Sequence, residues 1–473
     1  MKTRNANLIT GGLFLIVFFI LTQGVQARKI MVGPSAKYKT PSEASKVAKD
    51  GDSILIQSGV YARDVAYWKA NNLFISGVGG LAHLKSGGRA AGRKAIWVIQ
   101  GNNTTIEYIE FSECKVGDHN GAGIRQEGAH LTVRHCYFHD NEEGILAGDN
   151  AGSKIRIEYC EFARNGYGKG YTHHIYINHV DSCIVRYSYF HHANIGHHIK
   201  SRAHNTLIAY NRVGDEKSGN SSRLIDIPNG GSAVVIGNYL QQGPRAENSN
   251  LVEYGLEGLT NPGDRTLYMV HNTMVNERHA SLFVQLQKGA DAYMVNNVFV
   301  GKGTMISGKT LLSSHNYKDP TIGSAGFTGP ANYDYSLQKS SPLVDAGTRA
   351  YQLPGGIKVK QQYIHPAQGM TRPNNPLDSV DIGAFEYRKT TRLLSQFSNV
   401  HLQLSPNPCR NGLLHFLQDI DDFELEVIDA KGRPIPFRRT GANSIRLLNG
   451  FKGMGTVAFY HSKGTNSLRF IML

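Results

Sequence analysis

Residues 157–190 read IEYCEFARNGYGKGYTHHIYINHVDSCIVRYSYF. The stretch opens and closes on one motif: an alternating apolar strand, a small residue, then a second short apolar strand. Working outward, the motif returns as VRHCYF (133–138) and IEYIEF (106–111) on one side. On the other it returns as IAYNRV (208–213), VIGNYL (235–240), MVHNTM (269–274) and MVNNVF (294–299). Its fourth positions are Ile109, Cys136, Cys160, Ser188, Asn211, Asn238, Asn272 and Asn297, spaced by 27, 24, 28, 23, 27, 34 and 25 residues. Such a period is too short for a propeller blade, and no helical rhythm fills the intervals.

A further strand sits midway in each period: AGIRQE (122–127), GILAGD (144–149), HIYINH (174–179), HIKSRA (198–203), LIDIPN (224–229) and LVEYGL (251–256). Several strands per period, stacked coil on coil, spell an all-β right-handed parallel β-helix. Coils stack ~4.8 Å apart, so amides in the fourth-position column can hydrogen-bond along it. Cys136 and Cys160 share that column and are expected as small buried thiols, with a disulfide as the alternative. Thr40-Pro41-Ser42-Glu43-Ala44 begins a short helix expected to cap the open end of the core. Asp50-Gly51-Asp52 is expected to turn into the first strand, SILIQSGVY (53–61). Asp334–Leu337, Ser341–Gly347 and Val380–Tyr387 read as closing segments.

Composition agrees with this reading. The chain has 473 residues, 52 of them glycine, and only 19% are charged. That profile suits strands joined by many turns and excludes a disordered chain. Five cysteines without a CxxC pair form neither a disulfide framework nor a zinc module. A net charge of +14 points to a polyanionic partner or to a merely basic surface.

Residues 1–27 read as a signal peptide, with Lys2 and Arg4 ahead of the apolar run Gly11–Leu21 and Val25-Gln26-Ala27 as the cleavage site. An uncleaved anchor is the alternative, although the run is short for a span. Export makes nucleic acid an improbable partner. Residues 388–402 read as a basic linker, and 403–473 as a small β-sandwich, with strands at Leu404–Phe416 and Phe423–Ile435.

Two resemblances follow from these residues. Residues 29–387 resemble the pectate-lyase-like right-handed β-helix superfamily, which implies a carbohydrate-active scaffold shared by lyases, hydrolases, epimerases and adhesins. Residues 400–473 resemble the C-terminal sorting domain of the type IX secretion system of Bacteroidetes, on the strength of Pro406-Asn407-Pro408 and the strand–turn VIDAKGR with Gly432 and Arg433. The resemblance departs near the end, where Gly453-Met-Gly-Thr-Val-Ala-Phe-Tyr460 stands and no terminal basic residue follows. It implies a protein of the secreted or cell-surface fraction of a Gram-negative bacterium, with that secretion machinery as partner. A monomer is expected.

In the midway strands, Ile124, Ile145, Ile175, Ile199, Ile225 and Val252 are expected to point inward and their neighbours outward. One outer face would then carry Arg125, His174, Tyr176, Asn178, His198, Lys200, Arg202, Asp226 and Glu253. A plain solvated face is the bland alternative. Tyr171-Thr-His173-His174, His191-His192 and His197-His198 are weak metal candidates, since no HxH or HExxH spacing with a third ligand stands out.

The convergence of cations, a phenol and imidazoles suits β-elimination from an acidic, uronate-containing polysaccharide such as alginate or pectate. A cation neutralises the carboxylate, a base removes the C5 proton, and an acid protonates the leaving oxygen. Lys200 as base, Tyr176 as acid and Arg202 or Arg125 as carboxylate clamp would fill those roles, with His198 as the competing base. His174, Asn178, Asp226 and Glu253 would line the substrate. No cofactor is evident; Ca²⁺ held by Asp226 and Glu253 stays open, without a compact acidic run to support it. Three other readings also stay open: a hydrolase using Asp226 and Glu253, a C5-epimerase, and a non-catalytic carbohydrate-binding protein.

Overall fold

A computed structural model describes residues 27–168, 170–373 and 380–387, and in the C-terminal part residues 409, 411–416, 420, 424–429, 434–441, 443–448, 450–461 and 464–472. The expected signal sequence, the 388–402 linker, the Pro-Asn-Pro motif and Gly432-Arg433 lie outside the described residues. Among the described residues, no helix is long and apolar enough to cross a membrane.

Two compact units divide the chain at Arg388/Lys389. The first is a right-handed parallel β-solenoid. One ten-stranded sheet, here the front sheet, takes a single strand from each coil, ending with Thr304–Ser307. A second, 21-stranded sheet takes the others. Every pairing between coils is parallel.

The fourth-position column is a hydrogen-bonded ladder. Asn211, Asn238, Asn272 and Asn297 each donate Nδ2–H to the next amide Oδ1 at 3.0 Å, and the ladder runs one rung further than expected, to Asn316. Each amide also donates to a carbonyl of the coil behind. Cys136 and Cys160 are buried free thiols in that column, each Sγ set against backbone carbonyls. The residue before each rung bends the chain through positive φ: Tyr108, His135, Tyr159, Tyr187, Tyr210, His271, Asn296 and His315 lie between 50° and 56°. At Gly237 a Cβ would come within 2.6 Å of the Tyr210 ring, so glycine stands there for space as well as for its φ of 64°. Inside the coils, Phe111, Phe138, Phe162 and Phe190 stack face to face at 4.6–4.9 Å.

The first described strand differs from expectation. Lys29–Val32 precedes the helix and pairs in parallel with Ser53–Ile56, so SILIQSGV is the second strand. Arg28 fixes this start by pairing with buried Asp52 at 2.5 Å. The expected cap helix is present as Pro41–Ser45; Thr40 Oγ1 accepts from Glu43 N, Pro41 opens the first turn, and Pro41 and Ala44 are buried. The C-terminal segments of this unit bring Phe327, Tyr335, Leu337, Leu343, Ile382 and Ala384 against Tyr189, Tyr239, Val275, Val298 and Val300, a cluster separate from the interior core of the coils. The closing segments thus cover an apolar stripe on the outer flank of the long sheet.

The second unit contains two three-stranded antiparallel sheets. Leu414, Ile445 and Leu447 from one and Val427, Val457 and Phe470 from the other share a single core.

Candidate active site

The front sheet sets the register of the site. Its outward column runs Val98, Arg125, Leu146, Tyr176, Lys200, Asp226, Glu253 and Gln285, each paired with the next across adjacent strands. Tyr176, Lys200 and Asp226 are therefore consecutive rungs. Arg125 is two strands from Tyr176, with Leu146 between, so it shares the face but stands apart from Lys200. Among the described residues its Nε has no hydrogen-bond partner.

The expected outward placement of His174 and His198 is corrected: both are fully buried. Eight of the ten strands carry two consecutive inward residues near their start rather than strict alternation. The pairs are Ile96-Trp97, Gly123-Ile124, Gly144-Ile145, His174-Ile175, His198-Ile199, Leu224-Ile225, Leu251-Val252 and Phe283-Val284. His174 sits against the rings of Phe162 and Phe190, and it lies within hydrogen-bond distance of Asn165 and of the His191 carbonyl. His198 Nε2 faces Asp215 Oδ1 at 3.1 Å, and Asp215 is equally buried. Both imidazoles are core polar groups: His174 is bonded through both ring nitrogens, whereas His198 Nδ1 has no hydrogen-bond partner among the described residues.

The same kink brings the preceding residue outward, so sequence reasoning missed Glu143 and Arg223 and named His173 and His197 only as weak metal candidates. The rings of His173 and His197 stack at 4.6 Å, and His173 meets Tyr176 edge-on at 5.5 Å. His173 Nδ1 accepts from His197 N at 3.0 Å, which puts the His173 proton on Nε2. Burial pulls both imidazoles well below their ordinary value; Lys200 adds to this at each, as does His173 at His197. Both are neutral at physiological pH.

Lys200 Nζ lies 3.1 Å from Asp226 Oδ2 and 2.9 Å from Glu257 Oε1. Arg202 spreads its guanidinium over three partners: Nε to Tyr176 Oη at 2.9 Å, Nη1 to Asn229 Oδ1 at 2.5 Å and Nη2 to Glu257 Oε2 at 2.5 Å. Both cations also lie beside the Tyr176 ring, at 5.9 and 5.7 Å from its centroid. Lys200 and Asp226 are buried, whereas the Glu257 side chain is 48% exposed. Burial pushes the Asp226 carboxyl up, against the pull of Lys200. Partial burial acts the same way on Glu257, but hydrogen bonds from Lys200 and Arg202 outweigh it and hold that carboxyl below its ordinary value.

Glu257 arrives on a turn that returns over the sheet. Gly255 takes φ 80°, and a Cβ there would meet Leu259 at 2.4 Å. Gly255 N and Glu257 N bond back to Ile227 and Pro228 carbonyls, and Asn261 Nδ2 donates to the carbonyls of Arg202, Ala203 and Gly230. A loop residue some 55 positions away is thereby locked over Lys200 and Arg202.

Asn178 is half-buried, and its Oδ1 accepts from His179 N; no bond joins it to this cluster among the described residues. Glu253 is buried between Arg223 and Asn250. Asp226 and Glu253 do not fit a Ca²⁺ site: each carboxylate already faces a cation of the chain, Lys200 or Arg223.

The fold defines the class: the chain carries a right-handed parallel β-helix. A family model described as "Right handed beta helix region" matches residues 58–240. Among solved structures, pectate lyase Pel9A superposes with a TM-score of 0.53 at 14% identity, covering 77% of this chain and 98% of that one. An alginate lyase from Paenibacillus sp. str. FPU-7 gives a TM-score of 0.35 at 16% identity, covering 62% and 99%. No curated protein matches the sequence. At 14% identity the likeness to pectate lyase Pel9A is one of fold alone.

Proposed function

We propose that the front sheet binds an acidic polysaccharide and cleaves it by β-elimination at Tyr176, Lys200 and Arg202. One observation carries the reading: Lys200 and Arg202 hold the two oxygens of a single carboxylate, at 2.9 and 2.5 Å. That carboxylate belongs to Glu257, on a half-exposed loop side chain. A uronate carboxylate can replace it in the same fork. In a uronate the carboxylate is borne by C5, so a carboxylate held by Arg202 brings its own α-hydrogen toward Lys200.

The steps balance in protons and electrons. Charge neutralisation by Arg202 acidifies the C5–H bond. Lys200 acts here in its free-amine form, its ammonium proton released to solvent, and Asp226 Oδ2, 3.1 Å from Nζ, positions it. The amine accepts the C5 proton, and the electron pair forms the C4=C5 double bond as the C4–O bond breaks. Tyr176 O–H protonates the departing oxygen, and the Arg202 Nε–H already directed at that phenol oxygen stabilises the phenolate. His173 and His197, neutral and stacked, wall the site without adding charge.

The hydrolase reading loses support here. Asp226 and Glu253 are both buried against cations, which leaves neither one placed to activate water. An epimerase would share the proton abstraction and return a proton to C5. Export through a type IX pathway remains part of this reading, supported by the C-terminal sequence motifs.

Glu257 competes with substrate, so Glu257→Gln is expected to lower KM for a polyuronate several-fold with kcat retained, while Arg202→Ala raises KM and lowers kcat. Steady-state kinetics read from the ultraviolet absorbance of the new double bond decide this. A Glu257→Gln variant that loses kcat would refute the exchange of carboxylates.

A further inference from the structure

Away from the front sheet, three strands of the long sheet bring together two imidazoles and a carboxylate. His83 lies in Phe74–Lys85, Glu110 in Ile109–Ser112 and His139 in Tyr137–His139. Each comes from a different, successive coil, and their ligand atoms all lie within 4.8 Å of one another. We propose that His83, Glu110 and His139 form a binding site for a zinc-like transition metal ion that staples three successive coils, with a fourth position open to water.

Three observations support this. His139 Nε2 is 2.9 Å and His83 Nε2 3.5 Å from the same oxygen, Glu110 Oε1. Tetrahedral zinc with bonds near 2.0–2.1 Å needs its ligand atoms about 3.3 Å apart, so small side-chain shifts suffice. The outer shell is also in place. His139 Nδ1 faces Asp140 Oδ2 at 2.5 Å, and Arg164 grips Asp140 through Nε and Nη2, each at 2.9 Å. Donation of Nδ1–H to Asp140 fixes the tautomer that turns the Nε2 lone pair toward Glu110 and His83, the carboxylate–histidine–metal arrangement. Finally, the three side chains are only part-exposed, and Ser112 Oγ, 2.7 Å from His83 Nε2, is placed to hydrogen-bond a bound water.

The fold supplies its own control. Further along the solenoid, Glu161 and His191 repeat the carboxylate–imidazole contact at 3.1 Å. The position that His83 fills in the first cluster is there occupied by Tyr137, which is registered with Glu110 on one side and Glu161 on the other. Two ligands without a third make a poor site, so only the first cluster is expected to bind.

The test uses the tag-free chain and Zn²⁺ alone, followed by calorimetry, with Co²⁺ as a spectroscopic probe. The expected result is one Zn²⁺ per chain and a visible Co²⁺ spectrum of tetrahedral type. His83→Ala and the isosteric Glu110→Gln should each weaken binding at least ~100-fold, and Asp140→Asn roughly 10–100-fold. His191→Ala should bind as wild type. Circular dichroism of each variant separates lost binding from lost folding, and Glu110→Gln, which preserves volume, carries the test if His83→Ala misfolds. Absence of stoichiometric Zn²⁺ binding by the wild type, or unchanged affinity in Glu110→Gln, would overturn the proposal.

Discussion

Single residues divide here between chemistry and support. Lys200 and His198 are two positions apart on one strand, yet one faces outward to Asp226 and Glu257 and the other inward to Asp215. His198→Ala should therefore cost roughly 1–3 kcal/mol of stability, because it removes one of three hydrogen-bond partners of buried Asp215, Ser221 N and Gly243 N remaining, and should leave KM near wild type. Thermal denaturation beside kinetics checks this; a lost kcat at unchanged melting temperature would return His198 to the chemistry. Glu143 offers a pH test. Burial pushes its carboxyl well above the ordinary 4.5, against the pull of the His173 amide, Arg125 and Lys200. Above that value the folded chain holds a proton the unfolded chain has lost, so the contribution to stability falls as pH rises toward the folded value. Glu143→Gln removes this dependence. Its melting temperature should gain on wild type from about pH 5 to about pH 8. A difference that does not vary with pH would contradict the burial argument.

At the scale of the element, the decisive unit is the coil. In the ladder, Asn238 Oδ1 accepts both Asn211 N and Asn211 Nδ2, while its own Nδ2 donates to Ile208 O and Asn272 Oδ1. Asn238→Ala orphans several buried groups at once, and a loss of roughly 2–5 kcal/mol is expected in chemical denaturation. A loss below about 1 kcal/mol would mean that water or a shifted backbone replaces the ladder. The ladder was legible because its motif returns once per coil, every 23–34 residues, and its residue type is mostly small or amide. The front strands were legible in part. The column Arg125, Tyr176, Lys200, Asp226, Glu253 follows from simple alternation, but the double inward step that buries His174 and His198 does not. Its trace in the sequence is the adjacent apolar pair, Leu224-Ile225, Leu251-Val252 and Phe283-Val284, which alternation alone cannot explain.

For the whole molecule, the architecture was readable and the convergence of distant segments was not. Period and turn chemistry give the solenoid, and the need to cover its open end gives the helix Pro41–Ser45, whereas the cluster around Tyr335 covers an outer flank of the long sheet. Glu257 reaches Lys200 only through a loop whose course depends on Asn261 and three carbonyls. His83, Glu110 and His139 each look solitary in sequence, one per coil, and meet only when the coils stack. The net charge of +14 likewise acquires a local meaning at Lys200 and Arg202, where two cations share one carboxylate. The most direct measurement is the ultraviolet absorbance of wild type and Lys200→Ala on a panel of polyuronates. Wild type should generate unsaturated ends on at least one, with Lys200→Ala slower by some 10²–10⁴-fold. Equal rates in the two proteins, or no absorbance change on any polyuronate, would contradict elimination at this site.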